Sequence, residues 1–182
     1  MLGELMNYKH YPRPSAIGVT LIELLVAILI VAILATIGIP NFQQTIANNR
    51  VTSQGNELVA LISYAKSEAI RRSEDVTVQL SDDTNVWTAL VEDPAGTAAV
   101  DGCGPGVLRC AEHSAVRLAG PAQLTFNNRG YTTDTMTGWA TRTVYLEHDG
   151  CTGQRQRRRI DILPTGQINS CNLGCGVTNE CP

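Results

Sequence analysis

No cysteine occurs before residue 103, aromatic residues make up 5% of the chain, and neither charge sign dominates, with 14 Lys and Arg against 17 Asp and Glu. Without a basic excess there is no global field to draw in nucleic acid, so any partner must be recognised locally. The glycines of "GCGPGVLRC", residues 102–110, lack the G-x-G-x-x-G register and a following helix, which excludes a phosphate cradle; the segment reads as a disulfide-closed turn. There is no C-x-x-C pair to suggest zinc. His113 and His148 have polar neighbours in Ser114 and Asp149, but adjacent residues on a strand point to opposite faces, so neither pair builds a triad. The expectation is a non-enzymatic protein with no cofactor and no metal.

Six cysteines are present, Cys103, Cys110, Cys151, Cys171, Cys175 and Cys181, all in the last 80 residues. Behind a membrane-crossing start, that distribution points to an oxidising compartment and up to three disulfides. Loop closure favours Cys103 with Cys110; Cys151 with Cys171 and Cys175 with Cys181 would complete the set.

One long apolar run is present. From Val19 to Ile39 only Thr20, Glu23, Thr36 and Gly38 interrupt it, and at ~1.5 Å per residue it spans roughly 31 Å, one hydrocarbon core. Lys9, His10 and Arg13 precede it, a basic flank that keeps this end cytoplasmic. Met6 is an alternative start that would remove Glu4. No A-x-A site follows the run, as a secretory signal would require; instead a small residue, Gly18, lies before it. Glu23 stands near the start of the run with no basic neighbour, and ionisable groups placed there are costly and usually functional.

"G-V-T-L-I-E-L-L" resembles the class III prepilin signal of type IV pilins and type II secretion pseudopilins. The resemblance implies a cut after Gly18, methylation of the new N-terminus at Val19, and a glutamate at the fifth mature position, Glu23. The family most often has Phe where this chain has Val19. It also implies that Glu23 neutralises the N-terminal amine of a neighbouring subunit and sets axial register in a filament. Physics agrees, because a carboxylate one helical turn from an amine suits the positive end of a helix.

Pro40 removes a helical donor and crowds the preceding turn, so a kink or a locally melted turn is expected there. Beyond it Leu58, Leu61, Ile62, Ala65 and Ala69 mark one apolar face, with Asn56, Glu57, Lys66, Glu68 and Arg71 largely elsewhere. The helix should end near Arg72. "ELVALISYAKSEAIRRSEDVTV" resembles H-type pseudopilins and minor pilins of the FimU and FimT type.

Strands are expected at 75–80, 86–92, 115–118, 123–127, 142–147, 158–163 and 167–170, separated by Gly, Asn, Asp and Pro clusters. With no helical pattern between them, antiparallel sheets packed on the helix are the economical architecture. The fold class is therefore α+β, a pilin fold. Its expected parts are a leader, 1–18, a membrane and filament-core helix, 19–39, an amphipathic helix, 40–72, and a β-rich globular domain, 73–182.

In "QRQRRRI", Arg155, Arg157 and Arg159 share one face if the segment is a strand. Such a row could follow backbone phosphates, or it could be a solvated edge or pair with Asp149 and Asp161. FimT-type pilins bind DNA through a Gly-Arg-x-Arg motif, but this chain reads Gly166-Gln167-Ile168-Asn169 at that place.

The resemblance implies a minor pilin assembling at or near the tip of a type IV pilus. The alternatives are the H pseudopilin of a type II secretion system and a DNA-binding minor pilin using the arginine cluster. Implied partners are other major and minor pilins, prepilin peptidase, an inner-membrane assembly platform and, through the arginines, DNA. The implied location is the bacterial inner membrane with a periplasmic domain, then the filament.

Overall fold

The computed structural model describes residues 18–83, 86–100, 102–133, 140–153 and 155–177. The segment expected as a leader ahead of Gly18, and Cys181, fall outside them. The described residues fall into two compact units, one ending at Asn41 and one beginning at Phe42. Helix α1 (Leu21–Arg72) supplies the helical part of both. It is continuous through Pro40, so the turn there does not melt. Next to it the Thr36 hydroxyl donates to the Ile33 carbonyl at 2.7 Å and the Asn41 amide donates to the Ile37 carbonyl at 3.0 Å. Side-chain bonds of this kind let a helix accommodate proline in an apolar stretch.

In the second unit α1 is followed by β1 (Val76–Asp83), β2 (Val86–Glu92), β3 (Ala99–Val100), β4 (Gly104–Pro105), β5 (Val107–Ser114), β6 (Val116–Ala119), β7 (Gln123–Phe126), β8 (Thr132–Thr133), β9 (Arg142–His148), β10 (Arg157–Ile162) and β11 (Ile168–Leu173). Two antiparallel sheets result, ordered β5-β2-β1-β7-β8 and β11-β10-β9-β6, with β3 and β4 as a separate pair. The chain passes between the two large sheets at Ala115, whose φ of 65° turns β5 into β6.

Both sheets close on one face of α1. Val51, Leu58, Leu61, Ile62, Ala65 and Ala69 join Val76, Val78, Trp87, Ala89, Val91, Phe126, Val144, Leu146, Ile160 and Ile162 in a single core. The spacing of the helical members follows 3.6 residues per turn, which is why one stripe can meet two sheets. Gly55 belongs to this stripe and is buried; a β-carbon there would run into the Arg158 side chain, which lies across it.

Polar contacts seat the first sheet. The Trp87 indole donates to Gln54 Oε1 at 2.9 Å, the Gln54 amide donates to the Ser114 carbonyl at 3.1 Å, and His113 Nε2 lies 2.7 Å from Glu57 Oε2. Arg109 sits 5.6 Å above the Tyr64 ring. These contacts explain why β5 escapes a reading by alternation: Arg109 and His113 take places where apolar residues would be expected and meet α1 instead. The segment expected as a closed turn is thus a disulfide-bonded turn followed by an eight-residue strand.

Glu68, expected on the polar face, is buried. It accepts from Arg71 Nε at 3.1 Å and Arg72 Nε at 2.9 Å, and Arg72 Nη1 continues to Asp93 Oδ1 at 2.7 Å. Asp93 in turn holds its loop, accepting from the amides of Ala98 at 2.7 Å and Thr97 at 2.9 Å. The Arg71 hydrogen bond, helped by Arg72, keeps the Glu68 carboxyl below its ordinary range. The Ala98 amide, followed by those of Thr97 and Ala95, does the same for Asp93. Both are depressed acids, so their stabilisation is present above the ordinary carboxylate pKa and is lost as pH falls through the lowered values.

The helix ends where expected. The Ser73 amide bonds to the Ile70 carbonyl at 3.4 Å and the Glu74 amide to the Ala69 carbonyl at 3.3 Å, a Schellman closure with Ser73 at φ 58°. A side chain in that conformation is strained where glycine is not. Ser73→Gly should raise the unfolding free energy by about 0.5–1 kcal/mol, even after the greater flexibility glycine gives the unfolded chain. Denaturant titration measures it, and an unchanged or lowered midpoint would contradict the closure.

Candidate assembly surface and arginine cluster

Thr20 starts α1. Its hydroxyl accepts the Glu23 amide at 3.3 Å and its carbonyl accepts the Leu24 amide at 3.2 Å, which makes Thr20 the N-cap and Glu23 the third helical residue. The T-x-x-E order of Thr20 to Glu23 is the capping-box signal for this start. The expected helix start at Val19 moves to Leu21; Gly18 and Val19 precede the helix and are exposed.

After the cap the helix shows apolar side chains to every side. Leu21, Ile22, Leu24 to Val26, Ile28 to Val31, Ile33, Leu34, Ile37, Ile39 and Phe42 are all exposed. The most apolar 18-residue window of the helix has a mean hydropathy of 2.9 and no part of it is buried. A helix apolar all round needs a bilayer or other helices around it. Glu23 is the one acid in that surface, and the first turn is where a helix best tolerates one.

The arginines do not form the expected row. Arg155 precedes β10, in a turn at φ 66°, and is exposed. Arg157 and Arg159 are on one face of β10, but their side chains keep only 15% and 11% of their exposure. They flank Tyr145 of β9, with guanidinium carbons 4.3 Å and 5.8 Å from its ring centroid. Arg157 Nε lies 3.4 Å from Glu147 Oε2, an ion-pair distance without hydrogen-bond geometry. Arg159 Nε donates to both oxygens of buried Asp161 at 2.8 Å, and the Thr143 hydroxyl adds a bond of 2.7 Å. Arg158 points to the helix side, where it donates to the Ser170 hydroxyl at 2.8 Å and burial lowers its pKa. Arg159 thus takes the pairing with Asp161 that was the alternative reading of the cluster, and Arg157 meets Tyr145 and Glu147 of β9.

Cysteine pairing also differs. Cys103 is bonded to Cys110, but Cys151 is bonded to Cys175 rather than Cys171. Cys171 is opposite Arg159 on β11, whereas Cys175 lies past the strand, with its amide 3.3 Å from the Gly153 carbonyl. Cys171 is itself disulfide-bonded. Among the described residues no group of His, Cys, Asp and Glu could hold a metal ion.

Residues 54–166 match the model of the family described as type II transport protein GspH, and residues 14–39 match the prokaryotic N-terminal methylation motif. The chain belongs to the GspH family. It is a family of pilin and pseudopilin structural subunits rather than enzymes. The methylation motif and the apolar helix together suggest that the N-terminal segment is a membrane anchor. Two fimbrial proteins of Pseudomonas aeruginosa are each 31% identical over 96 residues, 53% of this chain. The chain spans 60% of the length of these relatives. Among solved structures, the type IV minor pilin FimU of P. aeruginosa aligns with a TM-score of 0.49 at 21% identity, covering 65% of this chain and 90% of that one. The minor pseudopilin EpsH from the type 2 secretion system of Vibrio cholerae aligns with a TM-score of 0.47 at 14% identity, covering 67% and 96%.

Arg159→Ala should leave Asp161 buried without its counter-charge and cost about 2–3 kcal/mol. A loss of that size appears as a lower denaturant midpoint; unchanged stability would show that the Arg159–Asp161 pair does not support the domain.

Proposed function

We propose that this GspH-family chain is a minor pilin that is cut after Gly18, methylated at Val19 and packed with other pilins at or near the tip of a type IV pilus. The observation that carries this reading is one helix with two environments: an exposed apolar half, capped by Thr20 with Glu23 in its first turn, and a second half that is the core of the β-rich domain. In this reading residues 1–18 are the leader, 19–39 the anchor and later the filament core, 40–72 the domain helix and 73–182 the globular domain. Prepilin peptidase and an inner-membrane assembly platform are the partners that precede the filament, and the domain faces the periplasm. Glu23 pairs with the new α-amine of the adjacent subunit, an interaction of opposite charges strengthened where water is excluded. Pro40 is where the helix bends to follow its neighbours.

The same parts suit the H pseudopilin of a type II secretion system, and the description of the matching family favours that as the second reading. Binding of DNA by Arg155, Arg157 and Arg159 has lost its support, because two of the three are covered and engaged.

Glu23→Ala separates membrane insertion from assembly. The variant should reach the membrane and lose its leader at the wild-type rate, yet be at least about tenfold depleted from sheared filaments, as expected for a lost ion pair worth more than 1.4 kcal/mol. Filament levels equal to wild type would defeat the assignment of Glu23.

A further inference from the structure

His148 is the last residue of β9, and Asp149 and Gly150 form the turn that follows it. Strand geometry separates the side chains of His148 and Asp149, but it does not govern the backbone of the turn. There the Gly150 amide donates to His148 Nδ1 at 3.2 Å. An imidazole nitrogen that accepts a hydrogen bond turns its lone pair to the donor and leaves the ring proton on the other nitrogen. Nδ1 is therefore a base in contact with a backbone N–H, at a separation that proton abstraction can use. Asp149 and Gly150 are both exposed, so water reaches them. The space around Gly150 is open, since a β-carbon there would meet only the His148 ring, 3.8 Å away. The rest of the connection is held by other groups. The His148 amide donates to the Gln156 carbonyl at 3.0 Å, and Gln156 Oε1 accepts the amides of Thr152 at 2.8 Å and Gly153 at 3.3 Å. Change at the dipeptide can thus occur without release of β9 from β10.

We propose that Asp149–Gly150 is a self-modification site, at which Asp149 is converted to isoaspartate with His148 as the base. The Gly150 nitrogen gives its proton to His148 Nδ1 and attacks the carboxyl carbon of the Asp149 side chain. The new N–C bond closes a succinimide ring while a C–O bond of the protonated carboxyl breaks. The leaving oxygen takes the proton back from His148 and departs as water. Water then adds to the ring. Opening at the main-chain carbonyl leaves Gly150 joined through the Asp149 side chain, which is isoaspartate; opening at the side-chain carbonyl restores aspartate. One water leaves and one returns, so the mass of the chain is unchanged and no oxidant, reductant or cofactor takes part. The product lengthens the main chain by one carbon in an exposed turn and places a free α-carboxylate there.

Ageing of the purified full chain in detergent micelles tests this, with isoaspartate at 149 measured by peptide mapping and electron-transfer fragmentation. Wild type is compared with His148→Gln and Gly150→Ala, each in buffer and in urea. In folded wild type isoaspartate should accumulate at 149, preceded by a succinimide one water lighter. His148→Gln should slow it at least about tenfold in buffer, a conservative share of what a positioned base contributes, and leave the rate in urea unchanged. Gly150→Ala should suppress it in both conditions, because the added β-carbon crowds the attacking nitrogen. Wild type should also react faster in buffer than in urea, where the contact with His148 is lost, and this comparison stands even if a variant fails to fold. Absence of isoaspartate from folded wild type, a folded rate below that in urea, or an unchanged rate in folded His148→Gln would overturn the proposal. Equal slowing of His148→Gln in urea would do so too, because the effect would then come from sequence neighbours and not from the turn.

Discussion

One stripe of α1, from Ala47 to Ala69, is the surface on which both sheets rest. Each sheet has a single apolar face, and among the described elements no other helix is available to cover it. That requirement orders the details around it. Gln54 is spent on Trp87 and Ser114, Glu57 on His113, and Tyr64 on Arg109, so polar side chains flank the stripe and orient the first sheet. Gly55 is kept small for Arg158, and the second sheet approaches as closely as that permits. A glycine inside a helix costs roughly 1 kcal/mol relative to alanine, which close packing of this kind can offset.

The same helix carries an opposite problem at its other end. Between residues 21 and 42 the large apolar side chains of the helix are exposed. In the proposed reading a bilayer would satisfy them before assembly and other helices afterwards, so the subunit could change surroundings without refolding. Glu23 fits that account as the one acid in the segment, set in the first turn where the helix dipole lowers its cost. Thr20 gives the turn its shape, and the amine that would form at Val19 would emerge beside it.

Much of this was legible in the sequence because it depends on period. The apolar stripe, the helix end at Arg72 and the strands that became β1, β2, β7 and β9 follow spacings of 3.6 or 2 residues. The misses have a different cause, side-chain pairings that period does not report, some across the chain and some within one turn or strand. β5 was hidden because Arg109 and His113 turn toward Tyr64 and Glu57. Glu68 looked solvated until Arg71 and Arg72 folded over it and joined it to Asp93. For the arginines of β10 the sequence offered both a free row and a pairing with Asp161; Arg159 takes the pairing, and Tyr145 and Glu147, which come from another strand, cover the rest. Cysteine pairing depended on where β11 stops, which composition does not reveal.

The central claim is that the apolar half of α1 remains on the mature protein as one piece with the helix that supports the domain. Intact-mass and N-terminal fragment spectrometry of the protein from membranes and from filaments measures this directly. The account predicts a chain that begins at Val19 and carries one added methyl group on its amine. A mature chain that keeps residues 1–18, or one that begins after Pro40, would contradict it.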